Sequence, residues 1–387
     1  MQEPVYDIIA QAMVDAGIRV ATHVPGAGGT KVYRSWLSLT RRDDPITFHE
    51  EVAFTIAHGA AITGTRSACL IKIQGLIKAG NSVIDSLSAG NTAGFVILIF
   101  HDSAGGQPDS IVDAEPLIKG IGLPYTVSSG TRIYEDLMQA IRKSEEISLP
   151  QAILIDTTEL EKKSYYVREK LSDKPPEYRR DIIKHMVIPL FASYQYSVLN
   201  HKKKNIDWTI IEKPEIPEIP EGLPADWQKI ISSYVRLFSI FKEIRGRVVT
   251  GDTGVSTLFA LPPYHCVDIN TNMGGSIPLA TGAYLAGHKN VWALSGDFSF
   301  IATGYLGLTD VLLRNIPLKI ILFYNARAAA TGGQPFPEGI LERLLNSYRE
   351  HVMYIKDPQN AEEVKSILNL AKKSRNLCIV VADYRGM

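Results

Sequence analysis

Two stretches in the second half of the chain carry residue types that could bind a phosphate group and a divalent cation. The apolar run VWAL ends at Ser295, Gly296 and Asp297, and the apolar run LKIILFY ends at Asn325. A carboxylate, an amide oxygen and the backbone carbonyl of Arg327 make a set of hard oxygen ligands of the kind that Mg²⁺ prefers. The interval between Asp297 and Asn325 leaves room for one helical crossover, so both are predicted to lie at the carboxyl edge of one parallel sheet, where ligands bind.

A glycine-rich stretch lies upstream of these residues, GDTGVSTLFALPPYHCVDINTNMGGSIPLATGAYLAG. Asp252 and Gly254 follow a predicted strand, and Met273 and Gly274 precede a predicted helix of small residues. Backbone amides at these glycines and at Gly296 could approach a diphosphate closely. The alternatives are an ordinary turn, a core methionine and a helix of small residues that packs tightly without a ligand.

Strands and helices must alternate to place these residues. Continuous apolar runs such as FVILIF and ACLIKI indicate strands that helices cover on both faces, hence parallel sheets and an α/β fold. The predicted strands are 20–24, 68–73, 95–101, 152–155, 247–250, 266–269, 291–294, 319–324 and 378–382, and the predicted helices of the first half are 5–16, 51–62, 79–88 and 133–144. Residues 166–225 change character and end in the Pro-rich EKPEIPEIPEGLP. We therefore predict domains at 1–165 and 226–387, joined by a partly helical linker.

Composition excludes several classes of protein. Lys and Arg number 41 and so do Asp and Glu, which argues against a nucleic-acid binder with a strongly basic field. No apolar stretch approaches the length of a membrane span. The three cysteines are scattered, which argues against a zinc cage and is typical of a reducing cytoplasm, the predicted location.

The motifs together resemble those of thiamine diphosphate (ThDP) enzymes. The resemblance implies a pyrimidine-binding domain followed by a diphosphate-binding domain, with Mg²⁺ held by Asp297, Asn325 and the Arg327 carbonyl. It also implies that Met273 props the cofactor into a bent shape. The implied cofactor-binding residues are Gly26, Asp252, Gly254, Met273, Gly274, Gly296, Asp297, Phe298, Ser299 and Asn325. The sequence departs from the usual motif in having Phe298 for a glycine and Tyr324 before Asn325.

ThDP enzymes also need a carboxylate that hydrogen-bonds the pyrimidine ring. The stretch HEEVAFTIAHGAAITG supplies Glu50, which precedes the helix glycine Gly59 by the interval typical of that family. The alternative is that Glu50 and Glu51 only favour the helix dipole. His49 lies beside it as a further catalytic candidate. In this family the cofactor lies between two subunits, so the resemblance implies a homodimer or a dimer of dimers.

The chain resembles two branches of that family. VPGAGGTKV, NMGGSIPLATG and NARAAATGGQPFP are similar to the alpha subunit of indolepyruvate ferredoxin oxidoreductase, but the cysteine-rich ferredoxin module of that family is not evident here. The same motifs are similar to the compact sulfopyruvate and phosphonopyruvate decarboxylases. We therefore expect non-oxidative decarboxylation of a 2-oxo acid, which the sequence does not identify. The alternatives are an oxidoreductase chain with a separate iron–sulfur subunit, a carboligase, a noncatalytic ThDP-binding protein and a nicotinamide enzyme.

Polar residues at other predicted strand ends are candidates for contacts with a substrate. His101 is a candidate proton donor, and Gln74, Asp102 and Gln334 are candidate substrate-binding residues. For each of them, an ordinary polar loop residue is an equally good interpretation. Gly26 lies in the Gly-rich turn PGAGG, which does not match the dinucleotide fingerprint.

Overall fold

The chain folds into two compact units. The computed structural model describes residues 2–106, 110–171 and 174–386. The first unit comprises residues 1–179 and 199–207, and the second comprises 180–198 and 208–387. None of the helices in these described ranges combines the length and the hydrophobicity needed to span a bilayer.

The first unit contains a five-stranded sheet and a separate pair of two-residue strands, the first and last strands of the unit. Its strands are β1 (Glu3–Pro4), β2 (Val20–His23), β3 (Ser67–Lys72), β4 (Phe95–His101), β5 (Tyr125–Val127), β6 (Gln151–Asp156) and β7 (Lys163–Ser164). Its helices are α1 (Val5–Asp15), α2 (Gly29–Thr40), α3 (Glu50–Ile62), α4 (Ile73–Lys78), α5 (Gly80–Ala89), α6 (Ala114–Ile121) and α7 (Ile133–Ile147). The sheet has the order β2-β3-β4-β6-β5 and all its pairs are parallel.

Alternate residues of the central strands enter two separate cores. Leu70, Leu98 and Ile153 pack on one face of the sheet, whereas Ile71 and Ile97 pack on the other. Because side chains alternate between faces along a strand, a sheet covered by helices on both sides requires a continuous apolar run. This requirement explains why FVILIF and ACLIKI are apolar without interruption.

The second unit contains a six-stranded sheet and a separate pair of two-residue strands. Its strands are β8 (Val249–Gly251), β9 (Ile269–Asn270), β10 (Trp292–Gly296), β11 (Lys319–Tyr324), β12 (Arg327–Ala328), β13 (Gln334–Pro335), β14 (Val352–Ile355) and β15 (Cys378–Asp383). Its helices are α8 (Ile182–His185), α9 (Pro189–Lys203, whose last turn counts with the first unit), α10 (Ala225–Ser232), α11 (Val235–Ile244), α12 (Ser276–Leu285), α13 (Asp297–Ala302), α14 (Gly307–Leu313), α15 (Ile340–Leu345) and α16 (Ala361–Lys373).

The order of the second sheet creates a topological switch point. The strands lie in the order β14-β15-β11-β10-β8-β9, and all pairs are parallel. The chain runs from β8 to β9 on one side and then returns to β10 on the other side of β8. Ligands of open α/β sheets bind outside the carboxyl ends of the strands at such a point. The short pair β12 and β13 forms a separate antiparallel hairpin.

The segment expected to be a linker contributes to the second unit's core. Met186, Phe191 and Ile219 are buried in the same cluster as the side chains of β8, β10 and β11. The backbone N–H of Ile219 also donates to the Pro262 carbonyl at 2.9 Å. The Pro-rich stretch is therefore packed onto the unit around Ile219. The predicted domain limits at 165 and 226 stay predictions, and the compact units divide the chain at other positions.

Several elements differ from the sequence-based expectations. The predicted strand at 266–269 is reduced to Ile269–Asn270, and β5 and β14 were not expected. Both of these strands lie at sheet edges and are partly exposed. The run YTV of β5 includes a polar residue, and the apolar run VMYI of β14 has only four residues, so neither matches the longer apolar runs of β3, β4 and β11. The two-residue strands β1, β7, β12 and β13 were not expected either.

Candidate active site

The carboxyl ends of neighbouring strands bring the predicted metal ligands of the second unit together. β10 and β11 pair in a register that places Gly296 opposite Phe323. Asp297 Oδ2 accepts hydrogen bonds from the backbone N–H groups of Asn325, at 2.9 Å, and Ala326, at 2.6 Å. The Asp297 carboxylate therefore ties the two strand ends to each other.

The electrostatics of Asp297 suit a cation. Its side chain is buried, and burial raises its pKa to about 6, although the N–H groups of Ala326, Phe298 and Asn325 lower the pKa in part. A nearby cation favours the ionised form of a carboxyl group. Among the described residues no three His, Cys, Asp or Glu side chains cluster as metal ligands, so backbone, amide and ligand oxygens would have to complete a coordination shell around Asp297.

The amide oxygen of Asn325 is oriented by the backbone. Asn325 Oδ1 accepts the N–H of Arg327 at 3.1 Å and keeps a second lone pair for another partner. The Arg327 residue is exposed at the start of β12, and Gln334 lies opposite Ala328 in the same hairpin. Carboxylate, amide oxygen and backbone carbonyl thus fit the ligand chemistry that Mg²⁺ needs.

Asp252 has a different environment from Asp297. Its carboxylate is only 1% exposed. It accepts the backbone N–H of Ser276 at 3.0 Å and the hydroxyl of Ser295. Burial raises its pKa to about 6. The side chain predicted to bind the cofactor is therefore enclosed and braces the end of β8 against α12 and β10.

The turn before α12 provides a closely fitted backbone. Gly274 has φ = +79°, and a Cβ built on it would lie 1.8 Å from Thr303 Oγ1. Thr303 Oγ1 in turn donates to the Met273 carbonyl at 3.1 Å. Met273 is half-buried, and Gly254 and Gly296 have open space where a Cβ would lie. Gly254 and Gly296 therefore leave room for a diphosphate, as the predicted binding of a diphosphate by backbone groups requires.

The helix α13 begins within the predicted motif. Phe298 donates its backbone N–H to Asp297 Oδ1 at 2.7 Å, and its side chain is 43% exposed. Ser299 is buried one residue further on. An exposed aromatic ring at the motif's second glycine position therefore leaves the Asp297 turn intact.

In the first unit, Glu50 is the first residue of α3 and lies at the carboxyl edge of the sheet. The chain before α3 is tied to the end of β2 by a 2.9 Å bond from Thr47 N–H to the His23 carbonyl. A Cβ at Gly75 in α4 would lie 2.8 Å from Glu50 Cγ, so the glycine makes space for this side chain.

The Glu50 side chain is partly buried, and its buried oxygen, Oε2, keeps acceptor capacity. Oε2 accepts no hydrogen bond from the residues that the structure describes. Lys78 Nζ lies 2.9 Å from it in an ion pair whose angles do not meet hydrogen-bond geometry. Glu51 differs, because its Oε1 accepts the hydroxyl of Ser82 at 3.1 Å. Of the two adjacent acids, Glu50 is the one with a buried oxygen open to another donor.

His49 is the N-cap residue of α3. Its Nδ1 is buried and lacks a hydrogen-bond partner within the described ranges. Burial lowers the pKa of His49, and the nearby charge of Lys78 lowers it further. The imidazole is therefore neutral at neutral pH.

The other candidates of the first unit follow neighbouring strands. His101 ends β4, with Nε2 3.9 Å from Asp156 Oδ2. Burial raises the pKa of Asp156, but hydrogen bonds from Ser103 and Thr158 outweigh it and hold that pKa below its usual range. Asp102 Oδ1 accepts two local N–H groups in a turn.

Gln74 and Gly26 also lie in the first unit. Gln74 Nε2 donates to the Ser110 carbonyl at 2.9 Å, and the Gly26 carbonyl accepts from Thr30 Oγ1 at 3.1 Å. They follow β3 and β2, which are consecutive with β4 in the order β2-β3-β4, so the structure places these predicted residues at one sheet edge.

Several residues that shape the two sites were not among the candidate site residues that the sequence suggested. They are Lys78, Tyr234, Ser276, Ser295 and Thr303. Lys78 is the last residue of α4, the helix that follows β3, and Ser295 directly precedes Gly296 and Asp297. Both residues therefore lie close to positions that the sequence analysis singled out. Tyr234 is far from every motif along the chain, and no pattern indicates its contact with Asn325.

Comparison with known proteins finds a family model that matches part of the second unit and solved structures that share the fold of the chain. Residues 251–375 match the family described as thiamine pyrophosphate enzyme, C-terminal TPP binding domain. A thiamin diphosphate-dependent enzyme from Mycobacterium smegmatis superposes with a TM-score of 0.68 at 11% identity, over 99% of both chains. The Rhodococcus jostii RHA1 thiamine diphosphate-dependent 4-hydroxybenzoylformate decarboxylase superposes with a TM-score of 0.67 at 14% identity, again over 99% of both chains.

Curated relatives share part of the sequence. Indolepyruvate oxidoreductase subunit IorA of Methanothermobacter marburgensis is 24% identical over 226 residues, which are 54% of this chain and 35% of that subunit. The IorA subunit of Pyrococcus abyssi is 27% identical over 171 residues, 38% of this chain and 26% of that subunit. The chain thus spans about a third or less of the length of these relatives.

Proposed function

We propose, from this similarity to thiamine diphosphate-dependent enzymes and to IorA subunits, that the chain is a ThDP- and Mg²⁺-dependent enzyme acting on a 2-oxo acid. The observation that carries the proposal is the pairing of Asp297 with the Asn325 backbone at the switch point of the second sheet. A buried Glu50 oxygen open to a donor, in the first unit, supports it. Both features match what the family requires.

The proposed residues have separate tasks. The Asp297 carboxylate, the Asn325 amide oxygen and the Arg327 carbonyl hold Mg²⁺, and backbone groups at Gly254, Gly274 and Gly296 line the diphosphate. Met273 packs beside the cofactor. Asp252 supports the site indirectly, by accepting a hydrogen bond from the backbone N–H of Ser276.

Glu50 is the proposed general acid and base in the activation of ThDP. The Glu50 carboxyl group would hydrogen-bond the pyrimidine ring through its buried Oε2 and exchange one proton with a ring nitrogen. ThDP, when bound, supplies a carbon nucleophile and an acceptor for the electron pair left by carbon dioxide. The protein then binds and orients the 2-oxo acid and excludes water, with His49, His101, Gln74, Asp102 and Gln334 as candidate contacts.

We favour non-oxidative decarboxylation, in which the product is released after protonation. The solved neighbour from Rhodococcus, a decarboxylase that matches over its whole length, supports this outcome. Similarity to IorA supports the second candidate, an alpha-type chain that passes electrons to a separate iron–sulfur subunit. A carboligase differs only in adding a second carbonyl compound. A homodimer is the proposed active unit, and a soluble cytoplasmic setting is proposed for it.

Release of carbon dioxide tests these functions directly. The purified chain is incubated with ThDP, Mg²⁺ and each of pyruvate, sulfopyruvate, phosphonopyruvate, indolepyruvate and branched 2-oxo acids, with and without an artificial electron acceptor. We expect release without the acceptor. Release only with the acceptor would favour the oxidoreductase, and no release in either condition would contradict an enzyme that works without a partner.

The Asp297→Asn variant tests the metal site, with Asp226→Asn as its control. Asp297→Asn keeps the side chain's shape and one acceptor oxygen, and it removes the charge. We expect it to lose Mg²⁺-dependent ThDP binding, whereas Asp226→Asn, at an exposed position in α10, binds as the wild type does. Retained ThDP affinity in Asp297→Asn would contradict the metal assignment.

A further inference from the structure

The orientation of the Asn325 side chain is fixed by two different partners. Asn325 Oδ1 accepts the backbone N–H of Arg327 at 3.1 Å. Because a backbone N–H can only donate, the atom facing it is the amide oxygen, which assigns the orientation of the amide group. Nδ2 then lies on the other side, 3.4 Å from the Tyr234 hydroxyl.

Tyr234 is itself held firmly in place. Its ring stacks on Tyr384, with centroids 4.4 Å apart and planes inclined by 27°. It also meets Phe323 edge-on at 5.7 Å, and Phe323 lies in β11 two residues before Asn325. Its backbone N–H donates to the Ile231 carbonyl at 2.9 Å. Aromatic packing on two sides thus fixes the hydroxyl at the end of β11.

The Tyr234 hydroxyl oxygen can accept the hydrogen bond that the Asn325 amide nitrogen donates. A neutral phenol oxygen accepts a hydrogen bond from an amide N–H, as this geometry requires.

We propose that Tyr234 is a positioning residue for the divalent cation, holding the Asn325 amide nitrogen so that the amide oxygen is presented to the metal. The inference rests on the proposed function. Tyr324, which stands where the motif usually has a second asparagine, does not share this task. Its hydroxyl donates to Glu342 at 3.1 Å and the Arg385 guanidinium lies 4.5 Å over its ring. Tyr234 thus orients Asn325 from a distant part of the chain.

Tyr384 provides a matched control within the same aromatic stack. Its hydroxyl is buried and has no hydrogen-bond partner among the described residues. Tyr234→Phe and Tyr384→Phe therefore each remove one buried oxygen and leave a ring in place, but only the first removes a contact with Asn325. A general effect on packing would appear in both variants.

The test is calorimetric titration of MgCl₂ into the metal-free chain with saturating ThDP. Since a hydrogen bond contributes about 1 kcal/mol, we expect Tyr234→Phe to weaken cation affinity about fivefold. Tyr384→Phe binds Mg²⁺ as the wild type does. Excess Mg²⁺ restores ThDP retention in Tyr234→Phe, which damage to the fold would not allow.

Each other outcome has a definite meaning. Equal Mg²⁺ affinity in Tyr234→Phe and the wild type overturns the inference and leaves the proposed function standing. An equal loss in both variants also overturns it, because the stack and not the hydroxyl would then matter. A wild-type chain that binds no Mg²⁺ with ThDP overturns the inference together with the metal assignment.

Discussion

Two Gly-Asp pairs end neighbouring strands of the second sheet, and their carboxylates have different environments. Asp297, after β10, bonds the backbone of the adjacent strand end. Asp252, after β8, is enclosed by Ser276 and Ser295. The same dipeptide thus supplies a proposed metal ligand in one place and a brace in the other. Only the neighbours of each carboxylate distinguish the two.

At Glu50 and Glu51, a matched pair of substitutions separates catalysis from helix stabilisation. Glu50→Gln removes the proton-accepting oxygen, so we expect ThDP binding to persist and turnover to fall by about 10²-fold or more. Glu51→Gln keeps an oxygen for Ser82 and should turn over at close to the wild-type rate. The measurements are ThDP affinity by calorimetry and carbon dioxide release. Equal rates in the two variants would contradict the assignment of Glu50.

At the scale of elements, the two helices next to the predicted sites share a pattern of small residues. Between Val52 and Ile62 every residue of α3 is buried, and so is every residue of α12 from Ser276 to Ala283. A helix that is apolar on all sides must be enclosed. Because Ala has a short side chain and Gly has none, such helices can pack close to the strand ends and hold the loops that precede them.

The turn that enters α12 offers a test of this close packing. Gly274→Ala places a Cβ on Thr303 Oγ1 in a backbone conformation with positive φ, whereas Gly287→Ala has a similar φ of +103° and open space. We expect Gly287→Ala to lose about 1 kcal/mol of unfolding free energy from strain, and Gly274→Ala to lose about 1–3 kcal/mol more from the clash. Denaturant unfolding measures both.

Removing Thr303 Oγ1 supplies the control for that prediction. Thr303→Ala in the Gly274→Ala background should recover part of the lost stability, because Oγ1, the nearest atom to the new Cβ, is gone, whereas the backbone N of Gly304 at 2.9 Å and Thr303 Cβ at 3.0 Å remain. No recovery would mean that the clash with Thr303 Oγ1 is not the main cause, and that backbone strain and the contact with the Gly304 backbone dominate.

The buried carboxyl group of Asp252, which bonds Ser276 and Ser295, predicts that the free energy of unfolding depends on pH. A folded-state pKa of about 6, raised from 3.8 by burial, means that stability from this group is full below about pH 4 and is lost as pH rises through 6. The shift is worth about 3 kcal/mol. Asp252→Asn keeps an oxygen for Ser276 N–H and an amide for Ser295. We therefore expect it to gain stability relative to the wild type between pH 4 and pH 7.

Unfolding by urea at several pH values measures this difference. Comparing the variant with the wild type at each pH cancels the contribution of buried histidines such as His58, whose pKa is lowered to about 4 by burial. A difference between the variant and the wild type that does not change with pH would contradict the assignment.

At the scale of the whole molecule, the proposed catalytic groups belong to different units. Glu50 lies in the first unit and Asp297 in the second. We propose, as the family resemblance implies, that a cofactor site combines Glu50 of one copy with Asp297 of another. Neither unit then carries a complete site, and activity depends on association of two copies.

Complementation of inactive variants tests that dependence. Glu50→Gln and Asp297→Asn chains are mixed, dissociated and reassembled. Random pairing makes half of the dimers mixed, and each mixed dimer has one intact site, so we expect about a quarter of the wild-type activity. Each variant reassembled alone is the control. No activity in the mixture would mean that both groups serve one site within a single chain.

The amino-acid sequence by itself determined the parallel sheets and the residues at their carboxyl edges. Continuous apolar runs are required in strands buried on both faces, and strand ends in parallel sheets lie at one edge, so Asp297 and Asn325 could be located from local patterns. Glu50 was located by its interval to Gly59, as the resemblance to ThDP enzymes implies. The edge strands β5 and β14 were missed because YTV includes a polar residue and VMYI is an apolar run of only four residues.

Tertiary structure alone decided which polar groups meet. The Tyr234 hydroxyl lies beside Asn325, Ser295 bonds Asp252, and Lys78 pairs with Glu50. The expected linker also became part of a core through Phe191 and Ile219. Such contacts join residues that are distant along the chain. They depend on strand order, helix placement and side-chain rotamers, for which a sequence has no local periodic signal.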